Sequence, residues 1–149
     1  MKTSDDNDDM LTLESQLCFA LYSTQLAMNK LYRGLLRELE LTYPQYLVML
    51  VLWQRDRQTV SEIGDQLYLD SATLTPLLKR LEAAGLVTRQ RSRQDERQVE
   101  VALTDQGREL RQRAESIPNA VTCASQCTPE EMKHLKDELQ RLRRRLSES

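Results

Sequence analysis

Three features of the chain predict a mainly α-helical fold with one small β-hairpin. Glycine and proline are scarce, four of each in 149 residues, so little interrupts helix growth. Leucine-rich stripes recur at helical spacing in several segments. Strand-like alternation is confined to one stretch, where Val87 and then Val99, Val101 and Leu103 alternate with polar neighbours. The length is one domain's worth, enough for a real core.

Residues 1–10 contain Asp5, Asp6, Asp8 and Asp9 and read as a disordered acidic lead. A first long helix is predicted over residues 13–40, and its segment from Leu17 to Tyr22 is apolar on every side. Such a helix must be covered all round, which a second subunit supplies more readily than one small domain. A second helix over residues 44–55 directs Tyr46, Leu47, Met49, Leu50 and Trp53 into the core. Residues 60–67 form a short polar helix. Another helix follows, capped by Asp70 or Ser71 and stopped by Gly85. In it Leu74, Leu77, Leu78 and Leu81 make one apolar stripe, and Ser71, Thr73, Thr75, Lys79 and Arg80 occupy the other face. Strands over residues 86–91 and 98–103 enclose a charged loop, residues 92–97.

Toward the C-terminus, Leu110, Ala114, Ile117 and Val121 step by 4, 3, 4, with Pro118 set to interrupt the helix. Thr128-Pro129-Glu130-Glu131 is a capping box, and Met132, Leu135, Leu139, Leu142 and Leu146 step by 3, 4, 3, 4 after it. That is the seam of a coiled-coil-like helix pair. Both ends of the chain therefore point to a homodimer.

Residues 61–107 combine helix, turn, helix and basic hairpin in the order of a DNA-binding unit. Net charge is −2, yet residues 79–97 hold Lys79, Arg80, Arg89, Arg91, Arg93 and Arg97 against Glu82, Asp95 and Glu96, a local +3. A local patch is sufficient for phosphate contacts and implies strong salt dependence. The fold class is thus mainly α with a small β-hairpin wing: a winged helix-turn-helix domain plus N- and C-terminal dimerisation helices. Within 1–149 as a single domain, residues 43–107 form the DNA-binding region; residues 11–42 and 108–149 form the dimerisation helices. Two reading helices held in a dimer imply double-stranded DNA with a pseudo-palindromic operator, half-sites about one turn apart.

Residues 46–107 resemble the multiple-antibiotic-resistance regulator (MarR) family, most specifically in Asp95-x-Arg97-x-x-x-Val101-x-Leu103-Thr104-x-x-Gly107. The resemblance implies that the helix opening at Ser71 enters the major groove and that Arg97, steered by Asp95, meets the minor groove. Those placements agree with groove width and potential. Ser71, Thr73, Thr75, Pro76, Lys79, Arg80, Arg91, Arg93, Asp95 and Arg97 are the candidate DNA-contacting residues.

Leu17-Cys18-Phe19-Ala20-Leu21-Tyr22, with Tyr32, Tyr43 and the stretch from Thr73 to Lys79, is similar to one branch, the organic hydroperoxide resistance regulators (OhrR). The likeness covers residues 11–118 and thins beyond. It implies that Cys18 is the peroxide-reactive thiol and that Tyr32 and Tyr43 hydrogen-bond it, Tyr22 being grouped with the same site. It also implies that Cys123, or alternatively Cys127, resolves the oxidised thiol as a disulfide across the dimer. Organic hydroperoxides are then the inducers. Fourteen residues separate Cys18 from Tyr32, so on one helix they lie ~21 Å apart, and contact needs an antiparallel crossing of two chains.

Three rivals remain at this stage. A small phenolic or aromatic ligand could replace thiol oxidation as the releasing signal. The thiols could serve a peroxidase, though the basic hairpin would then have no use. Cys18, Cys123, Cys127 and His134 could bind zinc, though their spacing is not that of a compact site. No nucleotide loop, Ser/His/Asp set or cofactor motif is found, and no apolar run reaches membrane-span length. The expectation is a cytoplasmic DNA-binding repressor that is not an enzyme.

Overall fold

The computed structural model describes residues 10–148, so the acidic lead up to Asp9 lies outside the described residues. Helix α1 spans Leu17–Leu35 and is followed by a 3₁₀ turn, Arg37–Leu39. It is shorter at both ends than the leucine pattern predicts. At the start, Ser15 Oγ donates to the Thr12 carbonyl at 3.0 Å, giving that backbone a partner outside a helix. At the end, Leu36, Leu39 and Leu41 are all buried. Three-residue spacing of two buried leucines suits the tighter 3₁₀ turn, and Glu40 closes it in the left-handed region at φ 56°.

Helix α2, Tyr43–Gln54, begins with a full capping box: Gln45 N–H donates to Thr42 Oγ1 and Thr42 N–H to Gln45 Oε1. Tyr46, Val48, Met49, Val51 and Leu52 are buried, making α2 the central helix of the core. Leu50, expected inside, is 40% exposed; the other faces of the helix meet the core. Helix α3, Val60–Leu67, has a second capping box, Thr59 with Glu62, and stops at Tyr68, left-handed at φ 59°. Gly64 permits the turn that follows, since a Cβ there would stand 2.6 Å from the Leu69 carbonyl oxygen.

Helix α4, Ser71–Ala83, is capped by Asp70, whose Oδ1 accepts from Thr73 N–H at 2.8 Å. Leu74, Leu78 and Leu81 are fully buried, while Leu77 is half-buried. The helix ends as predicted at Gly85, φ +80°. Gly85 N–H donates to Glu82 O and Leu86 N–H to Leu81 O, the paired bonds of a Schellman stop.

Strands β2, Val87–Arg91, and β3, Val99–Leu103, pair antiparallel, with Val87 opposite Leu103 and Arg91 opposite Val99. A further strand, β1, Gln58–Thr59, joins the other side of β3, so the order is β1-β3-β2. Two residues are too few to show alternation, which is why β1 is invisible in the pattern. Gln58 is 1% exposed. Its Nε2 donates to the Val51 and Arg55 carbonyls, and its Oε1 accepts from Gln66, so burial leaves no polar atom unpaired.

Helix α5, Asp105–Ala114, is capped by Thr104 and tied to α2 by Trp53 Nε1 donating to the Gly107 carbonyl at 2.9 Å. Helix α6, Ile117–Ser125, starts afresh with Pro118 in its first turn, as predicted. Leu110, Ala114, Ile117 and Val121 are buried within the chain itself. That corrects their assignment to a dimer seam: α1 and α2 run close enough to cover them. Helix α7, Pro129–Glu148, differs. Its cap forms, Glu131 N–H to Thr128 Oγ1, but Leu135, Leu139 and Leu146 remain exposed.

Candidate nucleic-acid interface and thiol site

The N-termini of α3 and α4 and the wing loop with the start of β3 line a cleft of about 500 Å³. Ser61, Ser71, Thr75, Asp95, Arg97 and Gln98 contribute its polar lining. Two helix N-termini turn their positive dipole ends to this cleft, with Thr59 and Glu62 capping α3 and Asp70 capping α4. Ser71, Thr73, Pro76, Lys79 and Arg80 are exposed along α4. Thr75 is half-buried, its hydroxyl donating to the Ser71 carbonyl at 2.7 Å. Ser61 and Gln98 join this surface without having been singled out in the sequence; proximity across the fold, not any local motif, brings them in.

On the wing, Asp95 Oδ1 accepts from both the backbone N–H of Arg97, at 3.1 Å, and its Nε, at 3.2 Å. The Arg97 side chain is nevertheless 91% exposed. It is aimed but uncovered. Arg91 donates to the Glu96 carbonyl at 2.9 Å and closes the loop, while Arg93 is exposed. Arg89 is lost to the basic patch. Its Nη2 lies 3.0 Å from Glu82 Oε1, its backbone N–H also donates to that carboxylate, and the arginine holds the Glu82 carboxyl below its ordinary range. The local charge available to DNA is thus carried by Lys79, Arg80, Arg91, Arg93 and Arg97.

The thiol residues lie far from this surface in sequence. Cys18 is exposed in the first turn of α1, beside the uncovered Leu17, Phe19, Tyr22 and Leu26. Cys123 is exposed near the end of α6. Cys127 is half-buried beyond the left-handed Gln126, its Sγ 3.6 Å from the Ser125 carbonyl oxygen. No two of the three cysteines are joined.

Tyr32 and Tyr43 are together, ring centres 4.4 Å apart, and Tyr46 joins them at 5.9 and 6.4 Å. Trp53 meets Tyr46 edge-on. Tyr46 was expected only as core; its place between α1 and α2 makes it part of the phenol cluster. Tyr22 makes none of these ring contacts and is 61% exposed. Burial, with Tyr43 and Tyr46 adding, pushes the Tyr32 phenol up to about 12. Burial also raises Tyr43. These phenols therefore keep their protons at neutral pH and remain donors. Since α1 runs unbroken from Cys18 to Tyr32, thiol and phenols occupy opposite ends of one helix and do not meet within a chain.

These features define a winged-helix DNA-binding regulator. The profile of the transcriptional regulator SarA/Rot family matches residues 30–114, and the chain belongs to this family of MarR-type winged-helix transcriptional regulators. It is 52% identical over 136 residues to the HTH-type transcriptional regulator TtmR of Methylorubrum extorquens, covering 91% of this chain and 70% of the relative. It is 49% identical over 131 residues to the organic hydroperoxide resistance transcriptional regulator of Bacillus subtilis, covering 88% and 89%. AbfR of Staphylococcus epidermidis shares the fold at 38% identity, covering 96% and 99%, with a TM-score of 0.74. Reduced AbfR bound to DNA, at 37% identity and covering 95% and 99%, also scores 0.74. The disulfide form, at 38% identity and covering 93% and 98%, scores 0.64.

Proposed function

We propose that this regulator is a homodimeric repressor that binds a pseudo-palindromic operator and releases it when an organic hydroperoxide oxidises Cys18. Residues 43–107 read the DNA, and the outward faces of α1 and α7, within residues 11–42 and 108–149, join the two chains, while Leu110, Ala114, Ile117 and Val121 stay in the core of each chain. The observation that carries this reading is the division of the sensing parts between the two ends of α1. An antiparallel crossing of two α1 helices brings Cys18 of one chain to Tyr32 and Tyr43 of the other and completes a site that neither chain contains alone.

Uncovered surface supports the pairing. Met10, Leu11, Leu13, Leu17, Phe19, Tyr22 and Leu26 at one end, and Leu135, Leu139 and Leu146 at the other, are exposed. At about 1 kcal/mol each for the exposed part, two chains gain roughly 20 kcal/mol on covering them. That exceeds an association cost of about 4–15 kcal/mol.

The chemistry follows from the donors. Cys18 lies in the first turn of α1, where the dipole favours thiolate, and protonated phenols add hydrogen bonds. The thiolate attacks the terminal peroxide oxygen and the O–O bond breaks; the OH stays on sulfur as sulfenic acid, and the alkoxide leaves as alcohol by taking from solvent the proton the thiol had given up. The Cys123 thiol of the partner then attacks that sulfur and expels water, leaving a disulfide; Cys127 is the alternative resolving thiol. The pull on α6 and α7 alters the spacing of the two reading helices. The lower similarity to disulfide AbfR than to its DNA-bound reduced form, at nearly equal identity, is in keeping with a change of shape within the AbfR chain when the disulfide forms.

The test is operator binding titrated with an organic hydroperoxide. Wild-type protein loses the operator and Cys18→Ser retains it; loss that persists in Cys18→Ser overturns the thiol switch. A second reading, release by a small aromatic ligand, is favoured by an open cleft of about 310 Å³ where Tyr46, Leu50 and Trp53 face Arg111 and Pro118. Saturable ligand binding that releases the operator from Cys18→Ser protein would establish it.

A further inference from the structure

Asp56 occupies the short turn between α2 and β1, a position no motif marks. Its Oδ1 accepts from Leu103 N–H at 2.8 Å and from Arg57 N–H at 2.8 Å. Its Oδ2 faces Arg108 Nη1 at 3.2 Å. The same Nη1 donates to the Leu103 carbonyl at 3.2 Å, and Arg108 Nη2 pairs with Asp105 at 2.8 Å. One carboxylate therefore holds the last residue of the wing through its N–H, and helix α5 through Arg108. Arg57, left-handed at φ 56°, costs the turn some strain, which the bond from its own N–H to Asp56 helps to offset. The neighbouring β1 pairs with β3 at Gln58↔Val101, so the wing is rooted on both sides of this point.

We infer that Asp56 is a positioning residue that sets the angle of the wing to helix α5 by clamping Leu103 and Arg108. The inference rests on the proposed use of the wing, in which Arg97 at its tip meets DNA. Asp56 touches no DNA; it acts through the strand that carries the tip. The Asp56 side chain is 33% exposed and that of Arg108 53%, so solvent screens the ion pair and the expected effects are moderate.

Two measurements on the full-length protein test the clamp. Asp56→Asn keeps an acceptor for Leu103 but turns an amide group toward Arg108; Asp56→Ala removes the clamp entirely. Hydrogen exchange in peptides covering residues 87–103 should speed up about tenfold in Asp56→Ala, while the α4 peptide, residues 71–83, stays protected. Operator affinity should fall about three- to tenfold in either variant, and less than about twofold when Arg97→Ala is already present, because both act through one contact. Unchanged exchange in the wing, or a rise spread over every peptide, overturns the clamp. Equal loss of affinity with and without Arg97 overturns its action through the wing. Faster wing exchange together with an Arg97→Ala that binds normally upholds the clamp and rejects the DNA-contact role of Arg97.

Discussion

Arg97→Ala provides the sharpest test of how the wing is used. The Arg97 side chain is 91% exposed and, among the described residues, is held by Asp95, so its removal leaves the free protein almost unchanged; an exposed ion pair contributes about 0–1 kcal/mol. On DNA the balance is different. A charge-assisted contact is worth roughly 1.5–3 kcal/mol, and the proposed dimer makes it twice. Partial re-solvation of the groove reduces the total, leaving an expected loss of about 2–4 kcal/mol, or roughly 30- to 1000-fold in affinity. Two fewer cations at the interface should also lower the slope of log K against log salt by about 2. The assay is fluorescence anisotropy with an operator duplex over a series of salt concentrations. Asp95→Ala should cost far less, about fivefold or below, because it frees the arginine without removing it, and should leave the slope near its original value. A thermally intact Arg97→Ala protein with unaltered salt slope would refute the reasoning, since a phosphate or groove contact by this cation must appear in that slope.

Three further outcomes are expected. Tyr32 ionises near 10 when unfolded and about 12 in the folded chain, so its contribution to stability is complete below pH 10 and disappears between about pH 10 and 12. Alkaline unfolding followed by tyrosinate absorbance should show this window, and Tyr32→Phe should narrow the loss. Gly85→Ala places a Cβ at φ +80° and should destabilise by about 1–2 kcal/mol in a urea melt; an unchanged midpoint would remove the Schellman stop from the account. Leu139→Glu alters a side chain 44% exposed in the single chain, so it should leave helix content intact and shift sedimentation toward monomer. A stable dimer in that variant would move the seam off α7.

Much of the candidate DNA-facing surface was legible in the sequence because its signals are local. Asp70 and Gly85 bracket the reading helix through caps that involve only adjacent backbone groups. The Leu74, Leu78 and Leu81 stripe needs only the helical period. Asp95 and Arg97 are two residues apart, so their contact is set within the loop. Two other caps, Thr42 with Gln45 and Thr59 with Glu62, are equally local and mark the starts of α2 and α3 to the residue.

What escaped depends on neighbours distant in the chain. A leucine stripe has the same form whether its own fold or a partner covers it. Leu110, Ala114, Ile117 and Val121 proved to be covered from within, whereas Leu135, Leu139 and Leu146 did not. Arg89 counts as a free cation until Glu82 is found beside it, and Gln58 counts as a loop residue until β3 arrives to pair with it. By itself, then, the sequence determined the Asp70 and Gly85 ends of α4, its leucine stripe and the Asp95–Arg97 contact, since these rest on backbone geometry within a few residues. Only the tertiary structure decided which apolar faces are satisfied, which charges are spent, and that Cys18 and the phenol cluster occupy opposite ends of α1. Those are questions of burial and proximity, which depend on atoms brought together from remote parts of the chain.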